Sequence, residues 1–253
     1  MTPSLPAQHP LALRLASALS LILLWQWGAW QAQSNLLPTP SAVLDLAWGE
    51  LVHGPLLEHL GATLRRVVLA FCIAMLVGGT LGGLMGRLKT LDAILDPWLV
   101  LLLNIPALVI IILAFVWFGL NETTAVIAIA LNKIPNVMII LREGARTLDP
   151  DFREMAQSFR LGWRKTLLYV TLPQLLPYIA VAARSGLALI WKIVLVVELL
   201  GRNDGIGFML HTYFQLFDVT GILAYSLSFI LVMLGIEYAL LQPLERLANR
   251  WRR

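Results

Sequence analysis

The sequence predicts an all-α integral membrane protein with six membrane-spanning helices and both termini cytoplasmic. Three observations carry the prediction. First, 58% of the 253 residues are hydrophobic and 13% charged, whereas soluble domains carry about 25% charged residues; the mean hydropathy is +0.77. Second, six stretches approach the roughly 20 apolar residues that a helical span requires: 11–30, 63–86, 98–119, 123–142, 175–200 and 220–241. Third, Lys and Arg collect on one side. With the amino terminus inside, thirteen lie in inner segments and three (Arg65, Arg66 and Arg202) at the outer side, which sets orientation by the positive-inside rule.

The first stretch ends in "WQWGAW", an aromatic interfacial belt. Its apolar run is long for a cleavable signal, so it reads as a retained span. Residues 31–62 form an outer connection with an amphipathic stretch; His53 and His59 there read as solvated surface. The second span contains "GGTLGGLMG" at 78–86. No Lys-Ser/Thr follows it, so it reads as small residues for close helix packing and not as a phosphate loop. Cys72, the single cysteine, reads as a small buried hydrophobe. Residues 87–97 are a connection before the third span, and 120–122 a tight turn before the fourth. Pro106, Pro135 and Pro177 interrupt spans and are candidate hinges. "GRNDGIG" at 201–207 reads as a turn on the outer face.

Residues 143–174 form the largest cytoplasmic segment. Asp149 is placed to cap a helix whose first residue is Pro150. Phe152, Met155, Ala156 and Phe159 fall at i, i+3, i+4 and i+7, one apolar stripe. Gly162 is a plausible break. A second helical piece, "WRKTLLYVT", is expected to stop at Leu172–Pro173, because proline cannot donate and biases its predecessor away from helical angles. Pattern alone leaves two readings open: a surface helix lying in lipid headgroups, or a docking helix for a cytoplasmic partner.

Within the spans, buried charge is costly and marks function or pairing. Lys133 lies near the middle of the fourth span, Lys192 deep in the fifth and Arg184 nearer its cytoplasmic half, with Glu198 near its outer end and Glu237 near the inner end of the sixth; the deep set leans positive, which suits an anion. Pairing of Lys192 with Glu198, or snorkelling, is the bland alternative. No Walker loop, HExxH spacing or catalytic constellation is present in the sequence, so ATP hydrolysis and metal chemistry are not expected of this chain.

The segment "EMAQSFRLGWRKTLLYVTLP" resembles the EAA loop of permease subunits of bacterial ABC importers. Glu154, Ala156 and Leu172–Pro173 match the family pattern, Val170 stands for its Ile, Met155 replaces its middle Ala, and Arg160 occupies its Gly position. "LPTPSAVL", "LDPWL", "PALVIIILAFVWFGL", "LDPDF" and "VLVVELLG" are similar to the subfamily that imports nitrate, taurine and aliphatic sulfonates, and together they cover most of the chain. The resemblance implies a fold like that of type I ABC importer permeases, with residues 1–253 as one transmembrane domain. It implies a homodimer in the bacterial inner membrane, in contact with lipid and not nucleic acid. It implies a cytoplasmic ABC ATPase dimer carrying ATP and Mg, with none bound by this chain, and an extracytoplasmic solute-binding protein. The ATPase-coupling residues it implies are Phe152, Glu154, Met155, Ala156, Phe159, Gly162, Leu172 and Pro173. With Arg160 in place of Gly, either Gly162 makes the turn or the two helices join more continuously. The implied cargo is a small anion; a vitamin precursor, or a stand-alone secondary transporter, is the alternative.

Overall fold

The computed structural model describes residues 10–243. These residues fold entirely as helices and turns, with no strand among them. The order is α1 (Pro10–Ala32), α2 (Pro40–Val52), α3 (Leu56–Arg87), α4 (Lys89–Asn104), α5 (Ala107–Phe118), α6 (Glu122–Arg146), α7 (Pro150–Ser158), α8 (Trp163–Thr166), a π turn (Leu167–Thr171), α9 (Leu172–Gly201), α10 (Ile206–Gln215), α11 (Val219–Ile236) and a closing π turn (Glu237–Leu241). Among the described residues, four continuous helical stretches are long and apolar enough to cross a membrane: Leu56–Arg87, Glu122–Arg146, Trp163–Gly201 and Val219–Ala239. A bent pair, α4 and α5, makes up to five. Helix α1 covers the first predicted span, and the side chain of Arg14 and residues Arg246, Arg250, Arg252 and Arg253 of the orientation count lie outside what is described.

The centre of the bundle is α3 against α6 and α9. Gly78, Gly82 and Gly86 recur every four residues and so share one face of α3. A Cβ on Gly78 would sit 2.8 Å from the Ile134 carbonyl, and one on Gly82 would strike the Met138 backbone, so the α3–α6 crossing is close enough to require their absence. The small-residue reading of this stretch therefore describes a real contact. Around it pack Val67, Ala70, Ile129, Ile190 and Val194, all buried. Cys72, by contrast, is exposed on this chain, because it lies off that face.

Local signals explain most boundaries. Asn121 caps α6, accepting from the Thr124 N–H at 2.8 Å, and Asp218 caps α11 through Gly221 at 3.1 Å. Gly205 holds φ +105° before α10. The Trp25 indole donates to the Pro38 carbonyl just before α2 at 3.0 Å, and the Tyr225 hydroxyl donates to Glu50 of α2 at 2.7 Å, tying α1 to the start of α2 and α11 to its body.

Three features differ from the expectation. The connection at 87–97 is helical and belongs to α4, which ends at Asn104; α5 then departs at 99°. The third predicted span is thus two helices meeting at a sharp bend and not one continuous helix over 98–119. Pro106 has no N–H to continue the ladder, and Ile105 before it takes an extended conformation (φ −72°, ψ 126°). Pro135 and Pro177, in contrast, lie inside continuous helices. Finally, the chain does not stop at Leu172–Pro173. The five-residue π turn shifts the ladder, with the Leu172 N–H donating to the Leu167 carbonyl, so Pro173 enters α9 where its missing N–H is tolerated.

Candidate coupling loop and membrane charge sites

Helix α7 begins as its residues dictate. The Asp149 carboxylate accepts from the Asp151 N–H at 2.9 Å with Pro150 in the first turn. It is fixed to the base of α9 from two points: the Asp149 N–H donates to Gln174 Oε1 at 3.1 Å, and the Thr147 hydroxyl donates to Tyr178 Oη at 2.8 Å. Ala156 faces inward, 1% exposed, while Phe152, Met155 and Phe159 are open at 48%, 42% and 74%. The predicted stripe therefore splits: its small member packs on the protein and its large members point away. Glu154 is exposed beside them. A groove of about 500 Å³ runs between α7 and the foot of α9, lined by Phe152, Met155, Tyr169, Pro173, Pro177 and Tyr178. Leu172 and Pro173 are both exposed.

The turn after α7 corrects both expectations about Arg160. Arg160 itself takes the left-handed conformation, φ +50°. Its N–H donates to the Gln157 carbonyl at 2.9 Å, and the Leu161 N–H reaches back to Ala156 at 2.9 Å. This is the double-bonded helix stop that glycine usually makes. Gly162 is extended (φ −62°, ψ 158°) and opens α8. An arginine thus adopts the backbone of the residue it replaces, at a steric cost of about 1–2 kcal/mol for a side chain in that region. Trp163 and Arg164 follow, both exposed, with the guanidinium 5.3 Å from the indole centroid.

At the opposite end lies a network that the sequence reading did not assemble. Arg66 on α3 is fully buried and reaches three carboxylates. Its Nη1 donates to Glu198 at 2.7 Å and to the Asp204 carbonyl at 3.0 Å; its Nη2 donates to Glu122 at 2.8 Å and to the Asp204 carboxylate. Glu198 also accepts from the Thr63 hydroxyl and the Gly207 N–H, each at 2.9 Å. Arg202 and Arg65 flank Glu122 at 3.1 and 3.0 Å. The Gly205 N–H donates to His59 Nδ1 at 3.0 Å, so His59 is partly buried structure and not solvated surface. Three arginines and three carboxylates balance, and they join α3, α6, α9 and the turn into α10. The available signal was a charge on the buried face of α3, four residues before Ala70 and near Thr63 and Val67. A similar clamp closes the other end of α6, where Arg142 reaches Asp92 and Asp96.

The four charges picked from the spans are not brought together. Glu198 is fully buried and pairs with Arg66, not with Lys192. Lys192 is exposed. Arg184, half exposed, sits 3.3 Å from Glu237. Lys133 is 1% exposed, and its Nζ has no hydrogen-bond partner among the described residues.

The family model "Binding-protein-dependent transport system inner membrane component" matches residues 63–251, from the second predicted span to the carboxyl end. The chain belongs to that family. The taurine transport system permease protein TauC of Escherichia coli is 30% identical over 242 residues, covering 92% of this chain and 87% of that protein. The bicarbonate transport system permease protein CmpB of Synechococcus elongatus is 29% identical over 214 residues, covering 80% and 77%. Among solved structures, that of an amino acid ABC transporter matches with a TM-score of 0.60, covering 79% of this chain and 97% of that one at 23% identity. Together with the apolar helices, these matches make the chain a multi-pass membrane permease of the ABC class with relatives that transport taurine and bicarbonate.

Proposed function

We propose that this chain is the transmembrane subunit of an ATP-driven importer that moves a small solute bearing an anionic group, taurine or another sulfonate, inward across the bacterial inner membrane. In this reading six helices cross the bilayer, α4 and α5 together forming the third, and both termini are cytoplasmic. Two copies form the pathway, an extracytoplasmic binding protein delivers cargo, and a separate ATPase dimer supplies ATP and Mg.

The observation that carries the reading is α7. A nine-residue helix, capped at Asp149 and pinned to α9, presents Phe152, Met155 and Phe159 outward beside Glu154. Large apolar side chains held open on a rigid helix are what a protein partner's groove requires, and pinning to α9 would transmit displacement of that helix to a span. Lys133, buried with no hydrogen-bond partner among the described residues, supports an anionic cargo group over a neutral vitamin precursor, with Glu198 assigned to holding the outer end and not to cargo.

Mild-detergent purification of the chain from its native membrane, with mass spectrometry of what accompanies it, tests the reading. An ATPase in stoichiometric amount is expected, lost on Glu154→Lys while membrane insertion persists. A chain that comes down alone, or an ATPase retained by Glu154→Lys and Phe159→Asp alike, would contradict docking through α7.

A further inference from the structure

Lys133 lies twelfth in the 25 residues of α6. Glu122 and Glu143, the nearest acidic residues along that helix, are 11 and 10 residues away, about 15 Å at 1.5 Å per residue. Glu122 is engaged by Arg66 and Arg65, and Glu143 by Arg146 at 2.9 Å. Helix α9 brings no acid before Glu198, which Arg66 holds. Midway along the span, a lysine stem cannot carry its charge to either interface. What receives the side chain is a notch: a Cβ on Gly186 of α9 would sit 2.6 Å from Lys133 Cε and 3.4 Å from Nζ. Among the described residues the amine thus has no hydrogen-bond partner midway along the helix, and it lies against a glycine at which a Cβ would force the lysine tip to shift. An isolated buried charge is among the costliest features a span can hold, and a hydrophobe would fill the same space without that cost.

We propose that Lys133 is the concealed counter-charge for the transported anion: shut behind Gly186 when α6 and α9 are closed, and exposed to a small sulfonate when they part. Gly186 is then the residue that makes concealment possible. The inference rests on the anion-importer reading above.

The test uses the full complex in proteoliposomes. Cys72 is the single cysteine of the chain, so Cys72→Ser followed by Lys133→Cys gives one reporter. The probe is a methanethiosulfonate reagent bearing a sulfonate, itself a small anion. Modification is expected to be slow in one nucleotide condition and at least tenfold faster in the other (nucleotide-free against ATP–vanadate trapped), and slowed again by taurine. Exposed Lys192→Cys serves as a labelling control. In the unsubstituted cysteine background, Lys133→Met should lower ATP-driven taurine uptake about tenfold, the equivalent of one decade in binding, with ATPase assembly intact. Gly186→Ala should lower uptake too, and Lys133→Ala in that background should restore thermal stability without restoring uptake. Equal reactivity in both conditions, no reactivity in either while Lys192→Cys labels, or full uptake by Lys133→Met would each overturn the proposal. Absence of a co-purifying ATPase, scored on the unsubstituted chain beforehand, would instead overturn the importer reading, and the proposal with it.

Discussion

Replacing Arg66 by Met should be among the most damaging single changes in the chain. The guanidinium is fully buried and donates to Glu198, Glu122 and Asp204. Without it, Glu198, also fully buried, keeps only the Thr63 hydroxyl and the Gly207 N–H. Removing one partner of a buried ion pair costs about 3–5 kcal/mol, chiefly because the surviving charge is left uncompensated. For a chain of this size, 1 kcal/mol shifts the melting temperature by about 2–4 °C, so with that cost a loss of about 6–20 °C is expected. Retention of the monodisperse peak after heating in detergent measures it. The double variant Arg66→Met/Glu198→Gln should recover part of the loss, because it removes the stranded carboxylate; coupling of about 0.5–3 kcal/mol is typical of such neighbours. If Arg66→Met melts with the parent chain, or if the double variant loses the plain sum of the single losses, the network does not hold this end of the bundle as described.

Other changes have equally direct outcomes. Arg160→Gly should stabilise the turn after α7 by about 1 kcal/mol, by relieving the left-handed backbone, read as slower amide exchange at 160–161; unchanged or faster exchange would mean that the stop is not strained. Gly82→Ala should weaken the α3–α6 crossing, where its Cβ meets the Met138 backbone, while the neighbouring Gly83→Ala, with nothing within 4 Å, should be neutral; equal heat stability of the two would contradict that crossing. Pro106→Ala should extend helix across the α4–α5 break, since it restores an N–H and frees Ile105, and cysteine pairs placed on either side of the break should then report a larger separation.

Much of this architecture was legible because lipid imposes a long apolar period. Close helix packing was readable from "GGTLGGLMG", though not that α6 is its partner, and the start of α7 was readable from "TLDPDF", since capping chemistry is local. The π turn before Pro173 was not, because a proline's effect depends on whether the preceding turn can shift register, which no short motif encodes. The break at Pro106 and the continuity at Pro135 and Pro177 make the same point: three prolines of one type, resolved differently by what packs around them. Arg160 was flagged as occupying a glycine position, yet that it would take the glycine's own backbone follows only from the bonds closing the turn. The Arg66 network was hidden for a different reason. Its members Arg66, Glu122, Glu198 and Asp204 are up to 138 residues apart, and sequence spacing carries no record of such partners. Pairing Lys192 with Glu198 was the shorter-range guess, and a buried arginine on another helix outcompetes it.

The most direct test of the central claim is uptake of labelled taurine into proteoliposomes that contain this chain, its co-purified ATPase and its binding protein. Accumulation that requires ATP inside the ATPase-bearing compartment, is insensitive to collapse of ion gradients and vanishes with Glu154→Lys is the predicted result. Uptake of a small sulfonate by the chain alone, driven by an ion gradient without ATP, would contradict it.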